Sequence, residues 1–244
     1  GRTARELWQA LRSFAGRALS LNEVSRAYRR ALQFQRSQQR ELEDLYRRES
    51  LTDGDIRVIL AGRPYVVLSS AMNKGIPEIF ASLGVKAFFQ DMIPASGTAA
   101  SPEVRALLEE IYPLRQAFHW QFAACILETA AYCARTPGTY AVLITSFKCS
   151  PDSFVAEYFK RILDAHRKPY LVLQIDEHAS SVGYETRIEA GLESFRNHLA
   201  AGRAPAAPAI YLPAVEKKFN RKTLLLPNWD SLSLPLLAAA MQRR

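Results

Sequence analysis

YAVLITSFKCSPDSFVAEYFKRILDAHRKPYLVLQIDEH, residues 140–178, decides the fold. Tyr140 to Thr145 is apolar, rich in β-branched side chains, too short for a typical helix and without alternation, the pattern of a strand buried on both faces. A polar turn follows, from Ser146 to Ser153. The next segment, Phe154 to Ala165, carries Phe154, Val155, Tyr158, Phe159, Ile162 and Leu163 at helical spacing. Ser150 or Asp152 can cap this helix, and Pro151 is tolerated in its first turn. Lys168-Pro169 restarts the chain in extended form, and a second apolar run, Pro169 to Ile175, ends in Asp176-Glu177-His178. Two parallel strands need a right-handed crossover, so the turns that follow them open on one edge of the sheet, where α/β sheets bind ligands. Cys149 is therefore expected beside Asp176-Glu177-His178.

Outward from this unit, Ile56 to Ala61 and Val85 to Phe89 read as further buried strands. Asn73-Lys74-Gly75-Ile76-Pro77 opens a helix to Leu83, and Gly84 closes it. A long apolar helix is predicted from Leu114 to Ala134, with Phe118, Phe122, Cys125, Ile126, Thr129 and Tyr132 facing inward. Another runs from Ser180 or Ser181 to Ala200. Thr223 to Leu226 is a fifth, weaker strand, and Trp229 to Met241 a terminal helix. The fold class is α/β: a Rossmann-like open sheet of four to five mainly parallel strands flanked by helices, preceded by a long N-terminal helix. The expected divisions are a helical segment over 1–50, the α/β domain over 51–200, and a linker, short strand and helix over 201–244.

The chain has 244 residues, enough for a sizeable core, and 48% hydrophobic with 23% charged residues is the composition of a soluble globular protein. No apolar run approaches the ~18 residues of a membrane span and no signal-peptide pattern appears, so a cytoplasmic location without a membrane partner is expected. The start at Gly1 suggests a piece excised from a longer polypeptide. The net charge of +8 is concentrated in arginines of the first 50 residues. Acids are interspersed among them, so that a solvated helix face fits better than a nucleic-acid surface. Ser20 with Glu23 forms a capping-box signature for a helix to about Arg48.

Several residues carry chemical possibilities. Arg63, after Gly62, can present a guanidinium fork to a phosphate or carboxylate, or simply lie on the surface. Cys149 precedes a helix N-terminus beside Lys148, two features that favour a thiolate able to act as nucleophile or soft-metal ligand. Glu177 and His178 can form an acid/base pair. Cys125 and Cys133, on one helix, read as small core residues. No phosphate-binding loop, dinucleotide fingerprint or serine-hydrolase elbow is present, and the cysteines and histidines never fall at zinc-ligand spacing.

Three blocks together carry a resemblance. Leu60-Ala61-Gly62-Arg63-Pro64-Tyr65, Asn73-Lys74-Gly75-Ile76-Pro77 and Asp91-Met92-Ile93-Pro94 form the first. Ser146 to Phe154 is the second, and Ile175-Asp176-Glu177-His178 with Thr186-Arg187-Ile188-Glu189-Ala190 the third. In this order they resemble the 2-hydroxyacyl-CoA dehydratase-like proteins, and within them the acyl-CoA dehydratase activase-related proteins, in which an ATP-dependent activase is fused to a dehydratase-related module. The resemblance spans roughly residues 20–242 and implies an oxygen-sensitive iron-sulfur protein whose cluster is held by cysteines between Rossmann-like lobes. Electron transfer from an activase domain or subunit, driven by ATP, would charge the cluster for reductive chemistry on an acyl-CoA. It implies that Cys149 is a cluster ligand, that Glu177 and His178 are catalytic, and that Arg63, Tyr65, Asn73, Asp152 and Arg187 surround the cluster or substrate. Ser150 stands where the family has Gly, Cys125 and Cys133 do not match family cysteines, and the remaining ligands are expected upstream of Gly1. A binding or assembly module without the cluster, and a cysteine-dependent hydrolase using Cys149 and His178, are the alternatives.

Overall fold

Four largely apolar runs become strands, the two central ones burying both faces between layers of helix and the two edge ones only partly buried. The computed structural model describes residues 2–15, 19–49, 55–94, 100–118, 120–146, 149–176 and 181–202. The strands are β1 (Arg57–Gly62), β2 (Lys86–Phe89), β3 (Thr139–Ser146) and β4 (Leu171–Ile175). They form one sheet of order β2-β1-β3-β4, parallel throughout, with Gly62 opposite Ile144 and Ser146 opposite Ile175. The expected α/β architecture is thus present. The fifth strand, the linker and the terminal helix of the expectation fall at 203–244, outside the described residues.

The helices are α1 (Arg2–Leu11), α2 (Leu21–Glu49), α3 (Pro64–Val67), α4 (Ser70–Asn73), α5 (Ile76–Ser82), α6 (Pro102–Glu110), α7 (Tyr112–Ala117), α8 (Gln121–Arg135), α9 (Ser150–Ala165) and α10 (Ser181–Ala200). Alternate strand residues point to opposite faces. Val58, Leu60, Tyr140, Val142, Ile144 and Leu173 join Val67, Phe80, Tyr184, Ile188, Leu192 and Phe195 in one core, which places α3, α5 and α10 on that face. Within it the Tyr140 and Phe195 rings stack 4.4 Å apart. The intervening side chains, Ile59, Ala61, Ala141 and Leu143, are equally buried and face α8 and α9. No helix among the described residues is long and apolar enough to cross a membrane.

The capping box at Ser20 forms as its sequence predicts: the Glu23 carboxylate accepts from the Ser20 N–H at 2.9 Å, and the Ser20 hydroxyl accepts from the Glu23 N–H at 3.2 Å. The long helix meets the body through Tyr46, whose ring stands edge-on to Phe88 at 4.8 Å and whose hydroxyl lies 3.1 Å from that of Tyr132. Gln39 donates to the Asp91 carbonyl at 2.8 Å, and Lys86 pairs with Glu49 at 3.2 Å.

Two predicted helices are corrected. The segment from Leu114 to Ala134 is two helices, because Phe118 and Trp120 take extended backbone (ψ 116° and 121°). That break carries the Phe118 ring onto Tyr158 of α9, edge-on at 5.7 Å, a tertiary contact that outweighs continued helical bonding. Phe122 is consequently exposed rather than inward-facing, and Cys125 is only half-buried. The helix expected from Phe154 begins at Ser150, with Cys149 at its N-cap and Pro151 in its first turn. Neither Ser150 nor Asp152 caps it.

Gly62 ends β1 with φ +152°, and a Cβ there would lie 2.5 Å from the Ile144 carbonyl oxygen and 2.7 Å from Val67 Cγ2. At Gly84 φ is also positive, +73°, but nothing stands within 4 Å. We expect Gly62→Ala to lose about 3 kcal/mol or more of unfolding free energy through combined strain and overpacking. Gly84→Ala should lose only about 1 kcal/mol, from the backbone alone. Urea unfolding of the two variants measures the difference, and equal losses would show that the β1–β3 approach is not the constraint.

Candidate functional site

The carboxyl edge of the sheet is assembled from the ends of β1 and β3. Because a Cβ is missing at Gly62, β1 lies against the β3 backbone there and delivers Arg63 toward the first turn of α9. Arg63 Nη2 donates to Asp152 Oδ2 at 3.0 Å, and the same oxygen accepts from the Ser146 N–H at 3.3 Å. Side-chain exposure is 21% for Arg63 and 9% for Asp152, so the pair is held largely out of water. The other terminal nitrogen of Arg63 donates to the Tyr65 hydroxyl, and the guanidinium carbon sits 5.0 Å from the centre of the Tyr65 ring. Arg63 is thus engaged by an internal carboxylate, an ion pair that neither of its sequence readings, a fork for a ligand or a surface arginine, includes.

Asn73 is buried and occupied by backbone. Its amide donates to the Val67 carbonyl at 2.8 Å and its oxygen accepts from the Gly75 N–H at 3.0 Å, which pins the α4–α5 corner. Tyr65 is exposed. Arg187 lies on the exposed side of α10, between buried Tyr184 and Ile188.

Cys149 is half-buried at the N-cap of the 16-residue α9, with φ −84° and ψ 108°, and its side chain makes no capping hydrogen bond. Its N–H donates to the Ser146 carbonyl at 3.3 Å, and its carbonyl accepts from the Ser153 N–H and hydroxyl, each at 3.0 Å. Burial raises the thiol pKa of the other two cysteines, Cys125 and Cys133, the latter to about 12, which keeps both protonated near neutrality. Cys149, in contrast to these two, stands at a helix N-terminus.

Parallel pairing of β3 with β4 places the end of β4 on the same rim, with Asp176 directly after it; the Asp176 N–H donates to the Tyr184 hydroxyl at 3.2 Å. Glu177 and His178 follow at once but lie outside the described residues, as do Phe147, Lys148 and His119. Beside the ion pair a cleft of about 170 Å³ is walled by Arg63, Asp152, Trp120, Phe122, Ile126 and Val155. Sequence reasoning missed Gln90, whose amide brackets Gly62: Oε1 accepts from the Gly62 N–H at 3.0 Å and Nε2 donates to its carbonyl at 2.8 Å. Its position just past β2 was the available signal. Trp120 and Phe122, which line the cleft, were hidden by the assumption of an unbroken helix.

Residues 2–93 match the sequence model of a family described as a CoA enzyme activase uncharacterised domain. The matched stretch runs from α1 through β2 and includes Arg63, Tyr65 and Asn73, whereas Asp152 and Cys149 lie beyond it. No curated protein and no solved structure matches the chain. From α1 through β2, then, the chain is similar to that activase-associated family.

Proposed function

We propose that the chain is a lobe of a CoA-enzyme-activase-related protein that lends one thiolate, Cys149, to a low-potential iron-sulfur cluster shared with groups outside the described residues. The position of Cys149 carries this reading: half-buried at the mouth of α9, on the rim where strand ends gather. A cluster brings electron-transfer capacity when bound. The described residues fit it only as a shared group, because among them no three His, Cys, Asp or Glu stand together where they could hold a metal ion. What this chain would contribute is one sulfur, a helix N-terminus facing an anionic centre, and the Arg63–Asp152 tie that fixes the first turn of α9. An acyl-CoA as substrate and an ATP-dependent activase as electron donor follow from the resemblance together with the activase-related match.

Anaerobic preparation of the intact polypeptide, followed by iron analysis and visible spectra, tests this reading. Iron and the charge-transfer absorption should fall to background in Cys149→Ala and stay at the wild-type level in Cys125→Ala. Wild-type iron in Cys149→Ala would overturn the assignment.

One observation favours a second reading, a non-catalytic assembly module: Arg63, Asp152 and Asn73 are engaged with one another or with backbone. Arg63→Ala leaves a buried carboxylate with a single N–H and should cost about 3 kcal/mol in urea unfolding. Replacing both partners, Arg63→Met with Asp152→Leu, should recover most of that loss. Stability unchanged in Arg63→Ala would remove the structural role and leave the guanidinium free for a ligand.

A further inference from the structure

The amino edge of the sheet, opposite the rim just described, holds a cavity of about 290 Å³. The carboxyl ends of three helices converge on it: Arg135 closes α8, His166 is the C-cap of α9, and His198 lies in the last turn of α10. Tyr140 of β3 and Lys168, just before β4, complete the polar wall, and among the described residues lining the cavity none is Asp or Glu.

Two of these cations are incompletely satisfied. Lys168 is 6% exposed, donates to the Thr136 carbonyl at 2.8 Å and stands 4.6 Å from the centre of the Tyr140 ring, without a carboxylate partner among the described residues. An ammonium has three donors, so this leaves at least one with no acceptor among the described residues. Arg135 is half-buried, its Nε is shielded from water without a hydrogen-bond partner, and exposed Glu103 is the acid that senses its charge. Orphaned buried donors are costly, and a half-buried arginine and a buried lysine facing one cavity, with no acid among its described lining residues, are the donor set of an anion site.

We propose that this cavity binds the phosphate or carboxylate group of a small molecule, clamped between Lys168 and Arg135. The anion accepts from Lys168 Nζ and from the Arg135 guanidinium, while Tyr140, its ring covered by Phe195 and Lys168 and its hydroxyl 3.0 Å from His198 Nδ1, holds the wall behind them. Burial pushes the Lys168 pKa down to about 8, and an anion in the cavity would raise it again. The helix ends, each with roughly half a negative charge, explain why cations collect here. They supply no acceptor to Arg135 Nε, so the helix dipoles alone leave the site incomplete.

Calorimetric titration of the chain with inorganic phosphate, and separately with succinate, at constant ionic strength in chloride, decides the matter. Saturable binding of either probe at millimolar concentration is expected, and which one binds identifies the ligand group. Arg135→Gln and Lys168→Met should each weaken it by about tenfold or more, the value of one charge-assisted hydrogen bond. Circular dichroism establishes that the variants fold, and Arg135→Gln alone decides if Lys168→Met does not. Affinity no greater than for chloride with both probes, or a folded Arg135→Gln variant that binds like wild type, overturns the proposal.

Discussion

A carboxylate kept almost out of water needs a cation and a hydrogen-bond donor, and Asp152 has one of each: Arg63 from the loop after β1 and the N–H of Ser146 at the end of β3. Those bonds fasten three separate parts of the chain at one point. The fastening is possible only because Gly62 allows β1 to close on β3 and Gln90 reaches across from β2 to saturate the Gly62 backbone. Remove the side-chain vacancy at 62 and Arg63 no longer arrives where Asp152 is buried. The N-terminus of α9, and Cys149 with it, takes its position from this local arrangement rather than from the general layout of the sheet.

The strands were legible because they are short, β-branched and uniformly apolar, a pattern that both-face burial imposes and a surface helix does not tolerate. The capping box at Ser20 was legible for a similar reason: its chemistry is local and complete within four residues. The break between α7 and α8 was not, since it depends on Phe118 finding Tyr158 some forty positions away, a preference invisible to helical periodicity. The same limit hid Tyr46, which holds the long helix to the body through rings from β2 and α8. At the candidate site, the shared rim of Arg63, Cys149 and Asp176 followed from strand direction alone. That Asp152 answers Arg63 did not, because pairing across the sheet depends on the exact start of α9.

The two edges of the sheet divide their charge differently. On the carboxyl edge Arg63 is matched by an internal acid and Cys149 stands at the positive end of a helix. On the amino edge three helices end together, and Arg135 and Lys168 face a cavity with no acid among the described residues of its wall. The contrast follows from parallel packing: every helix that connects parallel strands points its carboxyl end toward the strand starts, so one rim collects N–H groups and the other collects carbonyls.

The long α2 is joined to the sheet body by hydrogen bonds and ring contacts from Gln39, Tyr46 and Glu49, all in its last eleven residues. At 1.5 Å per residue its 29 residues make a rod of roughly 43 Å, with α1 packed at the distal end. Such a rod is a lever held over its stretch from Gln39 to Glu49: a tilt of about 10° there sweeps the far tip through several ångströms. Small repacking around two aromatic rings is thereby amplified into a displacement of the arginine-bearing end that is large on the scale of a side chain.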